Sequence, residues 1–556
     1  MRRVATACVC AVGCLLTVTV PAAWADWTTY HADGALTGVD QSSGSALPFT
    51  PAWSVPKLGG NVWAEPLVFA GLVIVATENN DLYAFNETTG AQAWHVNLGA
   101  PVPSSELPCG DISPTLGITS TPVIDPVTGT LYAVADQAIG TTSAVHTLFA
   151  LNPQTGAITF SRSVEPPGDI PLNQLQRESL ALDHGRVLVG FGGNDGDCAQ
   201  YKGFLISAPS DNNGANEVYA VPTTREGAIW SGGGAPALDA AGNVYVPTGN
   251  GASSNPSAYD HGDTLEKLSP DAVELDYWAP STWAQDSGSD ADLGSVSPEL
   301  LPGNLAYQGG KNGHGYLVST TNLGHIGGEL FSAPVCDSFG SDAYENGILY
   351  VACTAGIHAL NIDSVNHSFA VRWTGPSDAN GPPIISGGLV WVTSTGSSKL
   401  YGLDPLTGAV KVTQTTPGME HFATPAASDG HLFLATDTTL NAYTMATAVT
   451  PPSPTPTPTP TVPSPASKLC RATVRLTLRV PKHERIVRLT VSRGHRRLLL
   501  KRGRGLRRVN LTRLGTGRYG LQVTETPRHG RRIVFTARIR NCRLVSDPRP
   551  AVSAPR

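Results

Sequence analysis

Charge is scarce in this 556-residue chain: Asp, Glu, Lys and Arg together make up 15%, and only 3 Met accompany 59 Gly and 44 Pro. That balance excludes a charge-laced coiled coil, an acidic disordered chain and long amphipathic helices. Beyond residue 25 no run approaches the ~20 apolar residues that a membrane-spanning helix needs. No two Cys are adjacent, and none stands in a C-x-x-C or Cys/His cluster, which argues against a zinc site. What remains is rich in Val, Thr, Gly, Pro and aromatics, the vocabulary of short strands and tight turns. An all-β protein is expected.

The net charge of −6 conceals a split. Residues 468–556 hold 25 basic and 3 acidic side chains, a balance of +22, and residues 1–467 hold 13 and 41, a balance of −28. Two bodies of opposite sign are expected. Residues 1–25 read as a secretory signal, with Arg2 and Arg3, an apolar run from Val4 to Val20, and Ala23-Trp24-Ala25 as the cleavage site. A lipoprotein signal at Cys14 is the rival, but hydrophobic residues continue past it. The protein is therefore expected to be secreted or associated with the cell surface. Six Cys remain after cleavage, an even count that suggests disulfides in an exported chain. Cys470 and Cys542 flank the basic part, Cys336 and Cys353 sit on neighbouring strands of one hairpin-like stretch, and Cys109–Cys198 follows by elimination.

Residues 60–97 run Pro66-Leu67-Val68, Leu72-Val73-Ile74-Val75, Leu82-Tyr83-Ala84-Phe85-Asn86, Thr89-Gly90 and Trp94, which reads as four short strands separated by turns. The order recurs over 121–156 and 382–408, with further copies near Val187, Val244, residues 304–317, Leu349 and Leu432, eight in all. Four antiparallel strands repeated around an axis make a β-propeller blade. The last copy supplies three strands, and Pro51-Ala52-Trp53-Ser54-Val55, whose Trp stands like Trp94 and Trp373, is expected to add the fourth and close the ring. The expected fold is thus an eight-bladed β-propeller over 26–448, a Pro/Thr-rich linker over 449–467, a small immunoglobulin-like β-sandwich over 468–546 and a disordered tail over 547–556.

Leu-Tyr-Ala-Phe-Asn-x-x-Thr-Gly-x-x-x-Trp at 82–94 resembles the repeat of pyrroloquinoline quinone (PQQ)-like propellers, the quinoprotein alcohol dehydrogenase-like superfamily. The resemblance implies a Trp packed between adjacent blades. It does not imply one activity, because the superfamily includes PQQ-dependent alcohol dehydrogenases and outer-membrane assembly scaffolds.

In the dehydrogenases the resemblance implies PQQ at the axis with Ca²⁺, a Trp floor, a ring of adjacent Cys above, and an Asp base. The segment from Trp230 to Gly234, followed by Tyr245 to Asn250, is similar to the one supplying the floor and an Asn metal ligand. That makes Trp230 a cofactor candidate and Asn250 a metal candidate. Asp286, Asp290 and Asp292 fall where the base would lie, and a carboxylate near Ca²⁺ and a quinone can take a hydroxyl proton. The departures are larger: Ala235-Pro236-Ala237-Leu238 carries no aromatic for the floor, and the paired Cys are missing. The competing readings are a turn at 248–251 using Asn and Gly for positive φ, and a solvated loop over 286–292. Asn194-Asp195-Gly196-Asp197 reads as an Asx turn before a Ca²⁺ loop, and Gly309-Gly310-Lys311-Asn312-Gly313 as a hairpin turn. His31, His314 and His421 stand isolated. The first reading is therefore an exported binding or scaffolding propeller, and the second a PQQ- and calcium-dependent dehydrogenase of alcohols or sugars.

The Pro-Thr alternation from Pro454 to Pro460 favours an extended spacer. Beyond it, Ala472 to Val480 alternates apolar and polar residues with the period of a strand. Arg496, Arg497, Arg502, Arg504, Arg507 and Arg508 form the densest basic cluster. The +22 charge suits a cell-wall polyanion, acidic polysaccharide or lipid headgroups. Nucleic acid is disfavoured, since this part has no Trp and only Tyr519 and Phe535 as six-membered aromatics for stacking. Docking on the acidic propeller is the alternative.

Overall fold

A computed structural model describes residues 26–140 and 143–446 and seven strands between residues 474 and 546. The expected signal, linker, Cys470–Cys542 bridge, Arg507 and tail lie outside the described residues. Two compact units divide between Pro451 and Pro452.

The first unit is an eight-bladed β-propeller. Blade 1 pairs Leu67–Phe69, Leu72–Ala76, Asp81–Asn86 and Gln92–Asn97 in sequence order, all antiparallel. Blades 2 to 7 follow within 123–163, 181–220, 237–279, 299–334, 343–374 and 384–415, with one short strand added to blade 3 and one to blade 4. Blade 8 takes Ala426–Ser428, His431–Thr436 and Thr439–Ala446, and Ser45–Val55 pairs antiparallel with Thr439–Ala446 as its outermost strand. The expected closure by the N-terminal strand is present, so the sheet ring has no open side. Burial follows position in the blade: Leu72–Ala76 is buried at every residue, whereas Gln92–Asn97 fully buries only Trp94.

The repeat motif is a clasp between blades. The Trp94 indole N–H donates to the carbonyl of Pro153 in blade 2 at 2.9 Å, Trp53 to Glu87 at 3.0 Å, and Trp373 to Pro405 at 3.0 Å. Each receiving turn is held by the side chain that opens it, since Asn86, Asn152 and Asp404 accept from backbone N–H groups two and three residues on. Gly closes the turn at φ 69° to 71° (Gly90, Gly156, Gly408). A Cβ there would also stand only 2.6–2.7 Å from the Trp ring. Backbone conformation and close approach thus both require Gly.

Residues 26–40 run along the inner strands, and Tyr30 and His31 touch the ends of three links at Thr424, Glu65 and Asp342. Trp27 pairs with Val68 of blade 1, Thr28 O accepts from Ile124 of blade 2, and Gly34, Ala35 and Thr37 accept from Leu238, Leu300 and Tyr344 of blades 4 to 6. Asp40 N then donates to Ile385 of blade 7. Trp27, Tyr30, His31 and Leu36 are buried, and the Tyr30 and His31 rings stack at 4.4 Å. This segment floors the axis before becoming the closing strand.

Both expected disulfides of the propeller are present. The placement of Cys336–Cys353 differs from the expectation of one hairpin: Cys336 follows the outer strand of blade 5 and Cys353 follows Ile348–Val351 of blade 6. The stretch between them holds the link between the blades and the first two strands of blade 6, so the bond staples neighbours. Cys109–Cys198 joins the link between blades 1 and 2 to a hairpin loop of blade 3.

In the second unit, Arg496–Leu506, Ile486–Arg493, Arg518–Pro527, Ile533–Arg540 and Arg543–Ser546 form an antiparallel sheet in that order, and Val474–Thr477 pairs with Arg508–Leu511. Arg496, Arg497, Arg502 and Arg504 belong to a strand that sequence reading left as a charge cluster. Arg508 begins another. Among the described residues no helix is long and apolar enough to cross a membrane.

Candidate axial binding site

Every inner strand is entered from a link, and the links converge on a cavity of about 1020 Å³. All eight links contribute, through Trp63, Ile112, Arg177, Trp230, Asp292, Phe339, Asn380 and Phe422. Hairpin loops add Asp197, Asn250, Lys311 and Thr395.

One wall gathers most of the sequence candidates. Asp292 Oδ1 accepts from the Asn250 backbone N–H at 2.8 Å, and its Oδ2 lies 2.6 Å from Lys311 Nζ. Asp290 Oδ1 accepts from Asn250 Nδ2 at 2.9 Å and from Lys311 at 3.2 Å. Asn250 Oδ1 is buried with no partner. Burial pulls the Lys311 pKa down, but Asp292 and Asp290 outweigh it and hold the ammonium above its ordinary value. Its Nζ lies 5.8 Å from the centre of the Trp230 ring and 5.9 Å from that of Phe339, and the two rings meet edge to face. Neither Gly249 nor Asn250 has positive φ, contrary to the turn reading. Gly249 is required for space instead, because a Cβ would stand 2.8 Å from Asp292 Oδ1. Asp286 does not line the cavity; it sits on the short helix Trp283–Gly288 and accepts from Thr282 Oγ1 at 2.7 Å and Asn312 Nδ2 at 3.1 Å.

The opposite chemistry centres on Arg177, only 5% exposed. Its guanidinium carbon lies 5.3 Å from the centre of the Trp63 ring and 5.9 Å from that of Phe422, which stacks on Phe339 at 5.4 Å. Gly233 leaves room for it, since a Cβ there would stand 2.4 Å from the guanidinium. Burial lowers the Arg177 pKa, against the field of Glu78 and more distant acids. The adjacent Glu178 turns away, accepts from Ser231 Oγ at 2.8 Å, and is pushed up to about 8 by burial.

Asn194, Asp195, Gly196 and Asp197 all line the cavity, and Asp197 N–H donates to Asn194 O at 3.2 Å, closing the turn. The Cys109–Cys198 bond ties this turn to the loop carrying Asp111. Elsewhere on blade 4, His261, Glu266 and Glu274 place ligand atoms within 4.8 Å of one another, outside the cavity. Sequence reading missed Trp63, Arg177, Lys311, Phe339 and Phe422. Lys311 was visible only as part of a Gly-rich turn, and the others stand in links with no repeat signature.

A family model described as outer membrane protein assembly factor BamB matches residues 32–203 and 78–252. The chain is similar to the quinohemoprotein alcohol dehydrogenase from Comamonas testosteroni, with TM-score 0.57, 15% identity, and 76% of this chain and 80% of that one covered. It is similar to quinohemoprotein alcohol dehydrogenase ADHIIG from Pseudomonas putida HK5, with TM-score 0.58, 14% identity, and 80% and 83% covered. A europium-containing methanol dehydrogenase gives TM-score 0.56 at 13% identity, with 76% and 98% covered. The chain has the β-propeller fold of these proteins and matches the family model over residues 32–252. Identities this low speak for the fold, and no curated protein matches the sequence.

The sequence resemblance implies a quinone at the axis, and the residues there bear on whether it fits. Asn250 Oδ1 is a free oxygen donor for a cation. The expected floor is not there: no aromatic stands at 235–238, and Ala235 and Ala237 are packed into a core cluster with Tyr30, Leu36, Tyr245 and Trp278. Neither propeller disulfide joins adjacent Cys, the partners being 89 and 17 residues apart. The residues present do not fit a flat quinone held between a Trp floor at 235–238 and a ring of adjacent Cys, and no chemistry is derived through one.

Proposed function

We propose that the protein is a binding body. The propeller takes a small molecule into its axial cavity, and the basic C-terminal part, as a small immunoglobulin-like sandwich, holds the protein to an anionic polymer outside the cytoplasm. The cavity carries this reading: about 1020 Å³ in volume, it gathers polar and aromatic groups from all eight links above the floor laid by residues 26–40. The signal-like residues 1–25 and the two disulfides support an oxidising compartment. The assembly-factor description of the matching family model agrees with binding in preference to catalysis. A thermal-shift screen of small solutes tests the proposal. It expects solutes that raise the melting temperature of the full chain but not of Ala252→Trp, which fills the cavity. Equal shifts in both proteins overturn it.

A second reading, a PQQ- and calcium-dependent dehydrogenase of alcohols or sugars, is favoured by one observation: Trp230, Asn250, Asp290 and Asp292 converge on one cavity wall. Titration with PQQ and Ca²⁺ separates the two. A binding body takes up no stoichiometric quinone and reduces no dye with alcohols or sugars, and uptake of one quinone per chain installs the dehydrogenase instead.

A further inference from the structure

Three cationic side chains line the axial cavity, and two already have anionic partners. Lys311 is paired with Asp290 and Asp292, and Arg225 lies 3.1 Å from Glu226. Arg177 is the exception: among the described residues it makes no hydrogen bond or ion pair, it lies against the Trp63 and Phe422 rings, and the acids Glu78, Asp111 and Glu420 act on it only through their field. A guanidinium cannot shed its charge at any ordinary pH, and it carries five N–H donors in a rigid plane. Buried and without acceptors, it is built to receive an anion with two oxygens side by side.

The rest of the cavity narrows the anion. Carboxylates outnumber cations along its walls, which carry Asp111, Asp195, Asp197, Glu226, Asp290 and Asp292. That excess repels a doubly charged phosphate more than a singly charged carboxylate. The same oxygens accept hydrogen bonds, so the far end of the ligand must offer donors such as hydroxyl groups. The aromatic panel of Trp63, Phe422, Phe339 and Trp230 between the two ends offers faces to the C–H side of a ring. One carboxylate, one saturated ring and several hydroxyls describe a sugar acid.

We propose that the axial cavity binds a hexuronic acid, free or as a unit of an acidic polysaccharide, with its carboxylate on Arg177 and its ring against Trp63 and Phe422. This rests on the reading of the cavity as a ligand site. The +22 charge of residues 468–556 independently suits the same acidic polymer.

The experiment titrates the full chain with D-glucuronate, D-galacturonate and a short oligogalacturonate, and with glucose, galactose and glucuronamide as uncharged counterparts. Tryptophan fluorescence is the readout, because residues 468–556 contain no Trp and the signal reports only on the rest of the chain. The proposal expects at least one uronate to bind at least tenfold tighter than its uncharged counterpart, and Arg177→Gln to abolish that preference with Arg177→Lys in between. The oligomer separates a polymer unit from a free acid by binding tighter or weaker than the monomer. The comparison of acid with amide uses the unaltered protein and stands even if Arg177→Gln does not fold. Equal binding of acid and amide, or unchanged uronate binding by a folded Arg177→Gln, overturns the proposal. So does binding of other solutes but no uronate, an outcome that leaves the cavity reading intact. Failure of every solute to act on the cavity defeats both.

Discussion

The Lys311 ammonium lies 2.6 Å from Asp292 Oδ2 while the Lys311 backbone N–H donates to Asp292 O at 2.9 Å, so one residue of a blade 5 hairpin holds the link before it twice. The ion pair consumes the charge of a carboxylate that also accepts from the backbone N–H of Asn250, the residue carrying the candidate metal oxygen. Lys311→Met should therefore leave Asp290 and Asp292 facing each other unpaired, at a cost of ~1–3 kcal/mol. Chemical denaturation of Lys311→Met and of the double variant with Asp292→Asn measures it, and the second change should recover part of the loss. Additive losses would deny the coupling.

The clasp between blades gives a second expectation. Trp94→Ala removes a buried indole and its bond to Pro153 O, and should cost ~3–5 kcal/mol. Gly408→Ala places a Cβ 2.6 Å from the Trp373 ring at φ 71°. Its cost should be at least ~1–2 kcal/mol from backbone strain alone. Unfolding midpoints read both, and a neutral Gly408→Ala would contradict the clasp geometry.

Stability should fall on the alkaline side. Burial holds Glu78 and Glu178 up to about 8, and Asp136 and Asp342 up to about 7. These folded values exceed the unfolded ones, so the folded protein binds more protons over that interval. The contribution is complete below the unfolded values of ~4 and is lost as pH rises through 7 to 8. His31 acts in the opposite sense: burial holds it down to about 4, so its contribution is present above the ordinary 6.5 and is lost as pH falls toward 4. Four raised carboxyls outweigh the one lowered His, so the melting temperature should fall as pH rises from ~5 to ~8 and level off above, with a shallower decline in Glu178→Gln. A flat profile over that range would refute it.

Deleting residues 26–56 removes the outer strand of blade 8 and the axial floor together. The propeller should lose its cooperative thermal transition or melt at least several degrees lower, because the Thr439–Ala446 edge is left unpaired. An unchanged melting curve rejects both roles.

For the basic part, the full chain should be retained on heparin resin at ~0.15 M salt and released below ~1 M, where charges are screened within about 3 Å. A chain ending at residue 448 should pass through. Reversing Arg496, Arg497, Arg502, Arg504, Arg507 and Arg508 to Glu should shift release to lower salt. Retention independent of these residues would remove the anchor.

The propeller was legible because its signals are local. Asn86, Gly90 and Trp94 act within one blade and one neighbour, so period and spacing show them directly. Asn250, Asp290 and Asp292 were named only through the resemblance to the dehydrogenases, together with Asp286, which lies outside the cavity lining. Arg177 was invisible because its partners Trp63 and Phe422 come from the first and last links of the ring, brought together only by closure. Lys311 was hidden by the Gly residues around it, which signal a hairpin whatever side chain it carries. The strand Arg496–Leu506 was obscured by its Arg content, since charge masks the alternation that marks strands such as Val474–Thr477.

Ser45–Val55 finds its partner only when Thr439–Ala446 has been made. During synthesis the first long strand therefore waits, with a bare backbone edge, for nearly the whole propeller to follow it. A product cut short before residue 439 keeps that edge exposed and is open to pairing with other chains. A complete chain buries the edge in a single final step, so the seam in blade 8 also distinguishes finished molecules from unfinished ones.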